Sequence, residues 1–222
     1  MKGMKCTMGA LAAALLLSGC NMNNTTKGGL IGGAGGGALG AGLGAAIGAL
    51  AGGATAGVLI GKKMDKAKAA AQAVDNAQVE TVTDKNGLEA VKVSFDNGIL
   101  FKVGKSDLQA KAQASLRQFA NNVLNVYTDC DVAIYGFASS DGSDAVNLTL
   151  SQNRANAVRG FLTNTCGVST SQIKSTTGYG EDPQYLVYDA NGKEDVNASR
   201  RVEVYLYASE AMINAANAGT LK

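Results

Sequence analysis

The chain has no histidine and no tryptophan. Without histidine it lacks the commonest general base and the commonest metal ligand. It also contains no GxSxG elbow, no phosphate-binding loop and no acid pair spaced for glycoside cleavage. Ser139 and Ser140 stand beside Asp141, but no base is evident for either, so the sequence argues against an enzyme and implies no catalytic residue, cofactor or metal. An excess of one charge is missing as well. The full chain carries 20 Lys and Arg against 18 Asp and Glu; setting aside Lys2 and Lys5 leaves 18 of each. The basic balance sits at the N-terminus, so no nucleic-acid partner is expected.

What is present begins with residues 1–20. Lys2 and Lys5 precede an apolar run at 8–17, and the small residues Ser18 and Gly19 come just before Cys20. That is the layout of a secretory signal peptide, since a bilayer span needs about 20 apolar residues. The stretch LLLSGC resembles the lipobox of bacterial lipoproteins. The resemblance implies removal of residues 1–19 and lipid on Cys20, with 20–27 as a polar tether. An ordinary secreted protein in which Cys20 carries nothing is the alternative. Asn21 after Cys20 resembles patterns that sort lipoproteins to the periplasmic face of the outer membrane.

Residues 28–61 carry no charge and 15 glycines in 34 positions. Glycines recur every fourth residue from Gly28 to Gly52, and a second register follows at Gly53, Gly57 and Gly61. On a helix this spacing leaves one face open to close backbone approach, although each glycine costs about 1 kcal/mol against alanine. The segment resembles the glycine zippers of outer-membrane lipoproteins, which implies membrane contact or a homo-oligomer; a flexible spacer is the alternative. A single helix of that length would span about 51 Å, so two short helices are expected. Residues 62–79, rich in alanine and lysine, read as a helical linker.

Folding is expected over residues 80–208. ETVT and LEAVKVSF alternate around Asn86-Gly87, a hairpin signal. Residues 106–127 read as a helix with a Ser106/Gln109 capping box and an apolar face from Leu108 to Tyr127. A strand at 131–137, a helix at about 151–163, and strands at 173–179 and 201–207 complete a βαβαββ order. The fold class is α+β, with helices on one face of a mixed sheet. The tail 209–222 reads as a short helix or as disorder. Cys130 and Cys166 lie 36 residues apart, which excludes a CxxC motif. If strands 131–137 and 173–179 are parallel, a crossover helix returns Cys166 to the edge that holds Cys130. A disulfide is then expected, with two buried free thiols as the alternative.

The same topology brings Asn147, Arg154, Arg200 and Arg201 toward the opposite edge, beside a helix N-terminus. That arrangement suits a carboxylate ligand. Alternation sends Arg200 and Arg201 to opposite sheet faces, so at most one reaches the cleft easily.

GFASSDGSDAVNLTLSQNRANAV (136–158), GYGEDP (178–183), SRRVEVYL (199–206) and the earlier VSFDNGILF resemble the OmpA-like peptidoglycan-binding domain over about residues 90–208. The resemblance implies non-covalent binding of the diaminopimelate residue of peptidoglycan. Arg154 matches the family arginine that holds a carboxylate, and Asn147 matches the loop asparagine. Phe137, Ala138 and Ser139 replace the family's His-Thr-Asp, so Ser139 stands where an aspartate holds an ammonium. Asp141 is the candidate substitute, ahead of Asp144, with plain turn chemistry as the alternative. Ser199 replaces the asparagine of Asn-Arg-Arg, while Arg200 and Arg201 match. The expectation is a tether between outer membrane and cell wall. The competing expectation is a glycine-zipper membrane oligomer or envelope scaffold whose domain has lost wall binding.

Overall fold

The computed structural model describes residues 53–84 and 86–221. The expected signal peptide, Cys20, the tether at 20–27 and the glycine segment before residue 53 lie outside the described residues. Among the described residues, no helix is long and apolar enough to cross a membrane.

The first helix among the described residues, α1 (Gly53–Gln72), runs from the second glycine register straight through the lysine-alanine stretch. Ala56, Ile60, Met64, Ala67 and Ala71 are wholly buried along it, at the three- and four-residue spacing of one helix face. Gly57 and Gly61 are buried too, while Lys62 and Lys66 point to water. The expected linker is therefore a core element, because its apolar stripe begins before residue 62 and continues beyond it. Lys63 forms an ion pair with Asp129. Asn76, at φ 59°, takes the left-handed turn that asparagine tolerates and leads into β1 (Ala77–Thr83), which starts three residues earlier than expected.

β1 pairs antiparallel with β2 (Glu89–Asp96). The buried Asp84 carboxylate accepts the Asn86 and Leu88 N–H groups at 2.8 and 2.9 Å, and Gly87 at φ 75° completes the hairpin. Helix α2 (Ala110–Phe119) widens into a five-residue π turn at Ala120–Leu124. It starts four residues later than expected. The Gln109 side chain donates to the carbonyls of Gly98 and Ile99 rather than closing a capping box, and Phe101 bridges Leu108. β3 (Cys130–Phe137), α3 (Asp144–Asn164) and β4 (Ile173–Gly178) form a parallel β-α-β unit. β5 (Arg201–Ala208) lies between β2 and β3, antiparallel to both, giving the order β1-β2-β5-β3-β4. The tail is ordered as α4 (Glu210–Asn217), capped by Ser209 Oγ, and it packs on α1 with Met212, Ile213 and Ala216 buried.

Strand alternation divides the interior. Val91, Val93, Val132, Ile134, Val204 and Leu206 join the aliphatic core beneath the helices. Ala90, Ala133, Tyr135, Phe137, Tyr205 and Tyr207 form a largely aromatic cluster on the other face.

Candidate ligand-binding cleft

Two glycines set the position of the cleft. Gly136 and Gly178 face each other across the β3–β4 pair, and α3 crosses directly over them. A Cβ at Gly136 would lie 2.2 Å from the Ser151 carbonyl oxygen, and one at Gly178 would lie 2.2 Å from the Gln152 nitrogen. The absence of both side chains lets the helix backbone rest on the sheet. Polar bonds lock it there. Ser151 Oγ accepts Gly180 N–H and Gln152 Oε1 accepts Gly178 N–H, each at 2.9 Å. Asn147, one turn before this contact, and Arg154, one turn after it, are thereby fixed. α3 begins at Asp144 rather than near Ser151, so Asn147 belongs to its first turn and not to a loop.

Arg154 lines a cleft of about 400 Å³ together with Ser139, Asp141, Asn147 and Arg200. It is only 3% exposed. Its Nε donates to the Lys105 carbonyl at 3.0 Å, and its guanidinium lies 5.4 Å from the Phe101 ring centre. Burial, and then the Arg200 charge, push its pKa down to about 10, so it remains a cation at neutral pH. The Arg200 charge that disfavours the Arg154 cation favours an arriving anion.

The loop after β3 wraps around Arg200. Arg200 Nε donates to Ser139 Oγ at 2.9 Å, and its terminal nitrogen meets Asp141 Oδ2 at 2.7 Å. Ser139, 1% exposed, thus orients a cation. Asn147 Nδ2 donates to the carbonyls of Ser139 at 3.1 Å and Asp141 at 2.9 Å, and to the Glu181 carboxylate. Ser140 donates to Glu194 from its N–H and its hydroxyl. Burial raises the Glu194 pKa, but hydrogen bonds from Ser140 and Ser199 and the Arg200 charge outweigh it and hold the carboxyl below its usual range.

Arg201 lies outside this cleft. Its Nε donates to Glu203 at 2.7 Å, its Nη1 to the carbonyls of Tyr185, Ala198 and Ser199, and it stacks 4.2 Å from the Phe137 ring centre. Asp144 opens α3 and does not line the cleft. Cys130 and Cys166 are free thiols, correcting the expected disulfide. Cys130 is turned into the core, where burial first and the Asp129 charge second push its pKa up to about 12 and leave little thiolate to react. Sequence reasoning missed Phe101, the Lys105 carbonyl and Glu181. Phe101 ends the segment expected to be the opening strand, Lys105 lies between it and the helix expected from 106, and a backbone carbonyl carries no sequence signal.

The OmpA family profile matches residues 100–201. The chain is 33% identical over 129 residues to outer membrane porin F of Pseudomonas aeruginosa, covering 56% of this chain and 35% of that protein. It is 34% identical over 99 residues to the peptidoglycan-associated lipoprotein of Brucella melitensis, covering 45% and 57% respectively. It thus spans less than two thirds of either relative. A MotB-like protein of Desulfovibrio vulgaris shares the fold, with a TM-score of 0.53 at 20% identity over 68% of this chain and 94% of that one.

Proposed function

Residues 100–201 are an OmpA family domain, and from that premise we propose that the cleft over Arg154 holds the side-chain carboxylate of diaminopimelate in peptidoglycan, without covalent chemistry. The observation that carries this reading is the placement of Arg154 at the cleft, backed by Phe101 and the Lys105 carbonyl, with Arg200 as a second cation. An arginine held in this way grips a carboxylate with little further loss of side-chain freedom. The similarity to a peptidoglycan-associated lipoprotein supports the same ligand class. Asp141 replaces the family aspartate at the cleft, and its bond to Arg200 keeps it there as acceptor for the ligand ammonium.

The protein acts as a binder and not as an enzyme. Lipid on Cys20 anchors it to the periplasmic face of the outer membrane, which makes the chain a link between membrane and wall. Two or more acyl chains suffice for stable anchoring. Incorporation of labelled palmitate that disappears in Cys20→Ala tests the anchor.

For the ligand, calorimetric titration with diaminopimelate-type and lysine-type muropeptides is decisive, because the two differ by one carboxylate. Binding at least about tenfold tighter to the diaminopimelate type is expected from one charge-assisted pair. Equal affinity would overturn the assignment.

A further inference from the structure

The cleft carries apolar groups that a carboxylate grip does not use. Lys105 N–H donates to the Lys102 carbonyl at 3.0 Å, and Gly104 at φ +68° supplies the left-handed position of a type II turn. Val103 stands at the tip of that turn, 88% exposed. The same turn gives its Lys105 carbonyl to Arg154, so one short loop both fixes the cation and presents the valine. On a separate element, the first turn of α3, Val146 is 60% exposed and lines the same cleft. A lone exposed valine needs no explanation. Two of them on different elements at one cleft, with Phe101 and Leu150 also in its lining, form an apolar rim in front of a buried cation.

We propose that this rim reads the aliphatic arm bearing the carboxylate, so that the cleft selects a carboxylate carried on a chain of several methylenes. The proposal rests on the wall-binding reading and names what that site measures besides charge. Arg154 holds the end of the arm, and Val103 and Val146 take its methylenes out of water. A short acidic side chain reaches the cation without covering the rim; a longer one does both.

The test is a ligand-detected NMR titration of the full-length protein in detergent with aspartate, glutamate, α-aminoadipate and α-aminopimelate. These share the amino acid head and terminal carboxylate and differ by one methylene per step. Affinity is expected to rise about three- to fourfold per methylene, the value of burying one CH₂. The double variant Val103→Ser with Val146→Ser is expected to flatten that rise to below about twofold per step and to keep its melting temperature, because exposed positions contribute little to stability. A flat series in the native protein, or an unchanged slope in the double variant, overturns the proposal. Failure of the wall-binding reading looks different: native protein would not bind diaminopimelate-type sacculi, whatever the slope of the series.

Discussion

Arg200, just before β5, and Arg201, its first residue, are neighbours in sequence, and they turn to different surroundings, each pairing with a carboxylate, one exposed and one buried. Arg201 is turned into the aromatic face, where the buried Glu203 carboxylate, three backbone carbonyls and the Phe137 ring take up its planar group. Arg200 is turned into the cleft, 28% exposed, against an Asp141 that is 61% exposed. Ion pairs that are buried and fully bonded hold structure, because removing one partner strands the other charge. Pairs left at a solvated cleft contribute little to stability and stay available to a ligand. The start of one strand thus serves both purposes, and the burial of the paired carboxylate decides which.

The largest break in this comparison comes from beneath both faces. Gly178→Ala places a Cβ against the backbone of α3, which cannot give way as a side chain tip would. A loss of about 3 kcal/mol is expected in denaturant titration, the upper end for overpacking, with both faces disturbed together. Next, Arg201→Ala is expected to cost about 2–3 kcal/mol by leaving Glu203 buried, softened by Lys92 at 3.9 Å. The folded fraction should still bind sacculi. Arg200→Ala inverts that result: a stability change below about 1 kcal/mol, but binding weaker by roughly tenfold through a lost charge-assisted contact. Thermal melts beside sacculus titrations of these two variants separate the faces directly.

How much of this was legible in the sequence depends on whether a contact is local. The hairpin at Asn86-Gly87 and the divergence of Arg200 from Arg201 follow from alternation and turn chemistry, which act over a few residues; the parallel pair, distant in sequence, entered the reading only as a condition. The role of α1 was not legible. Alanine and lysine make a good solvated helix, and the stripe Ile60, Met64, Ala67, Ala71 becomes visible only when the glycine and lysine stretches are read as one helix. The Ser106/Gln109 pattern also misled, because Gln109 found carbonyls eleven and ten residues away instead of its own helix end. In the cleft, Arg154, Asn147 and Arg200 were legible through topology and motif resemblance, and Ser139 and Asp141 only through the departure from that motif. Phe101 and the Lys105 carbonyl were not, since they arrive from 53 and 49 positions before Arg154 through a loop.

The smallest expected effect concerns the two thiols at the edge away from the cleft. As free cysteines, Cys130 and Cys166 predict a melting temperature that reductant leaves unchanged. A bond closing that loop would contribute about 3–4 kcal/mol and would make the melting temperature fall by several degrees on reduction.

The most direct test of the central claim is co-sedimentation of the full-length protein in detergent with purified diaminopimelate-type sacculi, beside Arg154→Ala and Arg201→Ala. α1 belongs to the folded core, so a fragment starting at residue 80 would remove part of the domain. The account predicts that native protein and the folded Arg201 variant pellet with the sacculi while Arg154→Ala stays in solution. Equal pelleting of Arg154→Ala, with its fold intact by circular dichroism, would contradict it.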